Sequence, residues 1–147
     1  MEPQVREVLL GETRLVYRAM QELRPGLGSE SGLVDRIDRL QRPEGFRLVG
    51  AFLPGEEYAA AVGGFRASHF LVWGHVLYCD DIVTRSEFRG QGLAGRLLDW
   101  LFAEGRRLGC DQIHLDSGTG ADREAAHRLY FNKRFRISAL HFSRLLR

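Results

Sequence analysis

The chain has 147 residues, of which 44% are hydrophobic, and its 21 basic and 19 acidic residues give a formal net charge of +2. This length is typical of one domain with one core, and the hydrophobic content excludes a disordered chain. The near balance of charge gives no indication of a nucleic-acid partner. We therefore expect a single domain over residues 1–147.

The sequence contains no segment typical of membrane insertion, secretion or metal binding. No apolar run approaches the roughly 18 residues of a membrane-spanning helix, and the polar N-terminus lacks the apolar region of a signal peptide. Cys79 and Cys110 lack C-x-x-C spacing, and the five histidines lack metal-ligand spacing. These features predict a cytoplasmic protein with reduced cysteines, no metal and no membrane partner.

The first half of the chain alternates between strand and helix patterns. Alternating apolar positions predict a first strand over residues 4–10, and a helical spacing predicts helices over 12–23 and 33–40. Two further strands are predicted over 46–53 and 58–65. The sequence of the two helices does not identify a ligand.

Two adjacent carboxylates, Asp80 and Asp81, interrupt an apolar strand predicted over residues 76–84. Strand alternation predicts opposite faces for them, Asp80 with Tyr78 and Ile82, and Asp81 with Cys79 and Val83. Burial of a charge without a partner is expensive. The two residues are therefore either a structural pair held by arginine or backbone donors, or functional residues that serve as a base or an ammonium anchor.

Three glycines, Gly90, Gly92 and Gly95, surround the start of a helix predicted from Leu93. The first turn of a helix has free backbone N–H groups and the positive end of the helix dipole. Glycine allows a ligand to approach the backbone closely. This segment is therefore predicted to bind a phosphate or pyrophosphate.

The same glycines match the G-x-G-x-x-G pattern of dinucleotide-binding folds, with Asp116 about 20 residues further on. In that fold the glycines follow the strand directly, whereas residues 85–89 intervene here. Only 31 residues follow Asp116 in this chain of 147, too few for the second half of a doubly wound sheet. A nicotinamide-dependent oxidoreductase is therefore the weaker alternative.

The segment Arg89-Gly90-Gln91-Gly92-Leu93-Ala94 has the form [Arg/Gln]-x-x-Gly-x-[Gly/Ala] and resembles the acyl-CoA pyrophosphate loop of the GNAT superfamily of N-acetyltransferases. The resemblance runs from about Val76 to the C-terminus, with strand, loop, helix, strand 112–116 and segment 125–135 in the family's order. The later part resembles a bacterial GNAT subgroup. The resemblance implies an α/β fold whose mixed, mostly antiparallel central sheet is split by a β-bulge and flanked by helices.

The resemblance also implies the residues of the site. Backbone groups of Ile82, Val83 and Thr84 would bind the acyl carbonyl and pantetheine, and the pyrophosphate would bind Arg89, Gly90, Gln91, Gly92, Leu93, Ala94, Gly95 and Arg96. Tyr130 matches the general acid, and Asp80 is the favoured base, with Asp81 or a water chain as alternatives. Asp81 is also the candidate substrate-binding residue.

The function implied is transfer of an acetyl group from acetyl-CoA to a primary amine of a small molecule or peptide, by direct attack in a ternary complex. A non-catalytic acyl-CoA-binding or sensing domain is the main alternative. The implied partners are acetyl-CoA and the amine acceptor, and GNAT domains often form homodimers.

The C-terminal segment carries one departure from the family pattern. Arg134 replaces the glycine that usually precedes Phe135, so the turn after the tyrosine helix is expected to differ. Alternation over residues 137–146 predicts a last strand.

Overall fold

The computed structural model describes residues 2–147. The chain forms two compact units, one up to Leu115 and the other Asp116–Arg147. The first unit contains a five-stranded sheet, in the order β1 (Gln4–Val8), β2 (Arg47–Phe52), β3 (Ala61–Phe70), β4 (Gly74–Thr84) and β5 (Gln112–Leu115). Neighbouring strands are antiparallel, except that β4 and β5 are parallel. The predicted fold class is confirmed, and this sheet excludes the parallel, doubly wound dinucleotide fold.

Three helices of the first unit cover the sheet: α1 (Tyr17–Leu23), α2 (Glu30–Arg36) and α3 (Leu93–Arg107). A 3₁₀ turn, Thr13–Val16, precedes α1, and a π-helical turn, Ile37–Gln41, continues α2. The side chain of Ser29 caps α2, because its Oγ accepts a hydrogen bond from the backbone N–H of Gly32 at 3.1 Å.

The core has one part on each face of the sheet. On the face covered by α1 and α2, the buried cluster comprises Val8, Val16, Ala19, Met20, Leu33, Ile37, Phe46, Leu48, Ala59 and Val62. On the other face, Leu101 of α3 lies against Gly63, and Trp100 packs edge-on against Phe65 with ring centroids 5.7 Å apart. A Cβ at Gly64 would overlap the ring of Phe46, so this close approach requires glycine.

The second unit contains α4 (Glu124–Asn132), preceded by a 3₁₀ turn at Ala121–Arg123. The predicted strand over residues 137–146 is wrong, because the described chain from 136 onward has no regular secondary structure. Its apolar side chains are exposed, Ile137 by 76% and Phe142 by 88%. Alternation shows only that a segment could pair, and pairing also requires a neighbouring strand.

The turn after α4 keeps the geometry that glycine usually provides. Arg134 has a φ of 68°, in the left-handed region. Its backbone N–H donates to the carbonyl of Phe131 at 3.0 Å, and that of Phe135 donates to the carbonyl of Tyr130 at 3.0 Å. This is a Schellman motif with arginine at the glycine position. Arg134 therefore adopts a strained, left-handed conformation at a position where the family pattern usually has glycine.

Candidate active site

A β-bulge in β4 places both aspartates on one face of the sheet. Phe65 pairs with Cys79 and Gly64 pairs with Asp81, so Asp80 is the extra residue. The predicted opposite orientation of Asp80 and Asp81 is therefore wrong. Strand alternation fails here because a bulge inserts one residue into the two-residue period.

The two aspartates have different partners on this face. Arg66 Nη2 and Nε donate to Asp80 Oδ2 at 2.6 and 3.1 Å, which fixes the carboxylate against β3. Arg24, which ends α1, donates from Nη2 to Asp81 Oδ1 at 2.7 Å. The hydrogen bonds that Arg66 donates to Asp80 are the main cause that raises the pKa of the Arg66 guanidinium. Both carboxylates thus have a cationic partner, and Asp81 is less exposed than Asp80, at 17% against 26% of the side chain.

The end of β4 has one unpaired edge. The parallel pairing with β5 ends at Cys79 and Leu115, whereas pairing with β3 continues to Thr84. In an antiparallel pair, alternate residues direct their backbone groups away from the partner strand. The segment that contains Ile82, Val83 and Thr84 therefore has backbone donors and acceptors on the side that β5 does not cover.

The glycine segment follows this strand after a short 3₁₀ turn, Ser86–Phe88. Gly90 and Gly92 have φ values of 82° and 77°, and Gly92 is the N-cap of α3. No side chain caps α3 and its first turn has no acidic residue. A Cβ at Gly90 or Gly92 would meet nothing within 4 Å, so the backbone faces open space. This geometry fits an anion at the helix N-terminus.

The two arginines that flank this segment differ in their contacts. Arg96 Nη2 lies 2.7 Å from Glu2 Oε2, in an exposed ion pair. The side chain of Arg89 is exposed and makes no hydrogen bond or ion pair within residues 2–147. Of the two, Arg89 therefore has the guanidinium that is free to contact a phosphate. Gln91 is exposed and Leu93 is buried, while Ala94 and Gly95 are half-buried in the first turn of α3.

Arg85 supports the link between β4 and the glycine segment, and the sequence analysis missed it. Its side chain is only 5% exposed, and Nη2 donates to Glu87 Oε1 at 2.6 Å. Its guanidinium carbon lies 4.9 Å from the ring centroid of Phe88. The backbone N–H of Ser86 donates to Glu22 Oε1 of α1 at 2.7 Å. The bond from Ser86 to Glu22 joins positions 64 residues apart in the sequence, so no local sequence pattern indicates it.

A cavity of about 190 Å³ adjoins Asp81 on the face covered by α1 and α2. Polar and apolar side chains line it: Met20, Arg24, Leu27, Leu33, Arg36, Ile37, Gln41, Phe46 and Asp81. The sequence analysis singled out only Asp81 of this set. The others lie within residues 20–46, on α1, α2, the π-helical turn and the adjoining segments, and only the tertiary structure brings them together with Asp81.

Tyr130 belongs to the second unit, where it is 6% exposed. Its ring packs edge-on against Phe135, with centroids 5.9 Å apart, and its carbonyl closes the Schellman motif. These contacts fix the tyrosine at the end of α4. Its assignment as general acid stays a prediction.

The two cysteines have the contacts of packed residues. Burial raises the pKa of the Cys79 thiol to about 12, so this thiol is protonated at neutral pH. Burial also raises the pKa of Cys110. Neither side chain has the properties of a nucleophilic thiolate. Within residues 2–147, no three His, Cys, Asp or Glu side chains form a group that could hold a metal ion, and no helix is long and apolar enough to span a membrane.

Comparison with known proteins identifies the family. The sequence model of the acetyltransferase (GNAT) family matches residues 13–135. An acetyltransferase from Trypanosoma brucei has a TM-score of 0.81 at 19% identity, and the match covers 99% of this chain and 100% of that chain. The aminoglycoside N-acetyltransferase AAC(6')-Iy, solved in complex with CoA, has a TM-score of 0.77 at 18% identity, with coverage of 99% and 95%.

A plant enzyme shares the same fold. Glucosamine-6-phosphate N-acetyltransferase from Arabidopsis thaliana has a TM-score of 0.76 at 14% identity, with coverage of 100% of both chains. No curated protein sequence matches the chain. At such identities the structures show the fold alone, whereas the family match spans most of the sequence. The chain therefore belongs to the GNAT family of acetyltransferases, whose members carry out acyl transfer.

Proposed function

We propose that the protein is an acetyl-CoA-dependent N-acetyltransferase that acts on a primary amine of a small molecule or peptide. One observation carries the proposal: the glycine segment at the start of α3 follows the part of β4 that β5 leaves unpaired. A phosphate-binding helix terminus beside exposed strand groups suits a ligand with a pyrophosphate and an extended amide-containing arm. The proposal includes one catalytic domain over residues 1–147 in the cytoplasm, without a metal.

Residues of the first unit would hold the cofactor. The backbone N–H groups of the glycine segment, from Arg89 to Arg96, would bind the pyrophosphate, and Arg89 would add a charged contact. Backbone groups of Ile82, Val83 and Thr84 would bind the pantetheine amides and the acyl carbonyl. Arg85 would act as a positioning residue, because its bond to Glu87 fixes the turn that leads into the glycine segment.

The reaction removes two protons from the ammonium nitrogen, one before the attack and one as the amide forms, and adds one proton to the CoA thiolate. The neutral amine attacks the thioester carbonyl, a C–N bond forms, the C–S bond breaks, and CoA leaves as a thiolate. We assign protonation of the thiolate to Tyr130 and removal of the ammonium proton to Asp80, directly or through water. Asp81 lines the cavity and Asp80 does not, so Asp81 is assigned to binding the ammonium group.

The test is a binding measurement followed by an activity assay. Isothermal titration should show binding of acetyl-CoA and CoA but not NAD, and release of free CoA should depend on a primary amine. We expect Tyr130→Phe to lower kcat about 100-fold or more with little change in acetyl-CoA affinity. Tyr58→Phe serves as the control, because it also removes one tyrosine hydroxyl, which donates a hydrogen bond to Glu30 of α2.

Two results would contradict the proposal. Tight acetyl-CoA binding without CoA release from any amine, including polyamines, aminoglycosides and peptide N-termini, would favour the sensing domain. Unchanged turnover in Tyr130→Phe would remove the tyrosine from the mechanism. Light scattering with and without acetyl-CoA would measure whether the enzyme is a homodimer.

A further inference from the structure

The cavity beside Asp81 has charges of both signs, and their contacts differ. Asp81 Oδ1 accepts a hydrogen bond from Arg24, whereas Oδ2 accepts none from residues 2–147. A carboxylate accepts up to about four hydrogen bonds, so Asp81 has capacity left for an ammonium group. Arg24 itself is 54% exposed and has further N–H donors.

Arg36 contributes a second guanidinium to the cavity, and it has no partner. Within the described residues its side chain makes no hydrogen bond and no ion pair. The nearby Arg39 differs on both counts, since it pairs with Asp35 at 3.5 Å and does not line the cavity. The cavity thus has two arginines and one aspartate, a formal charge of +1, with one arginine free.

The rest of the cavity wall consists mainly of apolar side chains, and part of it belongs to the π-helical turn. Met20, Leu33, Ile37 and Phe46 are at most 3% exposed. Ile37 and Gln41 lie at the two ends of the π-helical turn, an arrangement that is rare in proteins and frequent at functional sites. The volume of about 190 Å³ is below the range of roughly 300–1,000 Å³ typical of drug-sized ligands. The cavity therefore fits a ligand with a small apolar group.

We infer that the acceptor is an amine that also carries a carboxylate, on the scale of an apolar α-amino acid; this inference rests on the proposed function. The ammonium group would bind Asp81, and the carboxylate would bind Arg36 together with the outer donors of Arg24. Guanidinium groups bind carboxylates in a bidentate geometry that lysine cannot reproduce. A polycationic amine is disfavoured, because two arginines repel additional positive charge.

The charge balance of the reaction supports the same class of acceptor. The ammonium nitrogen loses one proton to a base before it attacks and a second as the amide bond forms, while the departing thiolate of CoA gains one proton. The acceptor's carboxylate takes no part, so the product has a net charge of −1. The positive cavity therefore binds two anions, the acceptor with its amino group deprotonated and the acetylated product, better than it binds a cationic amine without a carboxylate.

The experiment compares matched amines that differ only in the carboxylate. Each amine is tested in two assays, release of CoA from acetyl-CoA and isothermal titration into the CoA-saturated protein. The matched pairs are L-leucine with isoamylamine and L-phenylalanine with phenethylamine, and spermidine is the polycationic amine. We expect kcat/KM for at least one amino acid to exceed that of its decarboxylated partner by about 10- to 100-fold. Arg36→Gln should reduce this ratio about 10-fold, mainly through KM, and Arg39→Gln should leave it unchanged.

The outcomes separate this inference from the proposed function. If the decarboxylated amines or spermidine react as fast as the amino acids or faster, the inference is overturned, but the proposed N-acetyltransferase function is retained. Absence of both binding and reaction for the two amino acids would also overturn it, whatever other amines do. Loss of the preference in Arg39→Gln to the same extent as in Arg36→Gln would show a non-specific charge effect and contradict the assigned site.

Discussion

Asp80 and Asp81 are consecutive in the chain, yet both lie on the same face of the sheet, because Asp80 is the extra residue of the bulge. One carboxylate is held by Arg66 and the other by Arg24. Two like charges on neighbouring residues are stabilised here by two separate cations. This arrangement allows the two aspartates to have different roles.

Substitution of each aspartate should therefore affect a different kinetic constant. Asp80→Asn should lower kcat by about 100-fold or more, because the base is lost. Asp81→Asn should mainly raise KM for the amine, since the ammonium contact is weakened. Steady-state kinetics with saturating acetyl-CoA, from pH 5 to 10, measure both effects. Turnover at the wild-type rate in Asp80→Asn would show that its carboxylate is structural.

Gly92→Ala should weaken acetyl-CoA binding by about 10-fold or more. Its φ of 77° costs a residue with a side chain about 1–2 kcal/mol, and the new methyl group would lie on the side of the backbone proposed to face the pyrophosphate. Isothermal titration measures the affinity, and urea unfolding measures the stability.

Gly109→Ala is the matched control for this substitution. Gly109 has a φ of 76° and, like Gly92, has nothing within 4 Å of an added Cβ. The same strain should therefore lower the free energy of unfolding by a similar amount while acetyl-CoA affinity is retained. Equal loss of affinity in the two variants would mean that strain alone, and not the position of Gly92, controls binding.

Glu104 should make the protein sensitive to acid. Hydrogen bonds from Arg107 and then Arg47 lower the pKa of this carboxyl from 4.5 to about 2, against the opposing effect of burial. The folded state binds the proton more weakly than the unfolded chain does, so the stabilisation is complete above about pH 5. It should be lost as the pH falls towards 2. Its size is on the order of 2–3 kcal/mol in the free energy of unfolding.

Urea unfolding of Glu104→Gln between pH 2 and 7 tests this assignment. The variant should be less stable at pH 7 and should lose less stability on acidification than the wild type. Glu57→Gln removes a carboxylate that is 61% exposed and should follow the wild-type pH dependence. An unchanged acid dependence in Glu104→Gln would assign the acid sensitivity to other carboxylates.

Arg134→Gly should stabilise the protein. Relief of the left-handed strain at φ 68° is worth about 1–2 kcal/mol, and the greater freedom of glycine in the unfolded chain offsets roughly half of it. We expect a net gain of about 0.5–1 kcal/mol in the free energy of unfolding, measured by urea denaturation. Arg136→Gly, two residues further on, lacks the positive φ and should give no gain. Destabilisation by Arg134→Gly would show that the arginine side chain compensates for its backbone strain.

The order of elements and the glycine segment were predictable because they depend on local rules. Apolar patterns and the family resemblance predicted the strands and helices, most of them to within a few residues, although β3 extends five residues beyond its predicted end at Phe65. Positive φ at Gly90 and Gly92 follows from what glycine permits. The strand predicted over residues 137–146 was wrong, because alternation does not supply a pairing partner. The π-helical turn at Ile37–Gln41 has no local signature either.

The sequence by itself determined the glycine-rich start of α3, on which the proposed phosphate site depends, since glycine permits the positive φ of Gly90 and Gly92 in any surrounding fold. Only the tertiary structure decided which faces the aspartates occupy, because a bulge depends on the register between two strands. It also decided which side chains share a cavity with Asp81. Arg24 and Arg36 are far from Asp81 in sequence, and packing of helices on the sheet brings all three together.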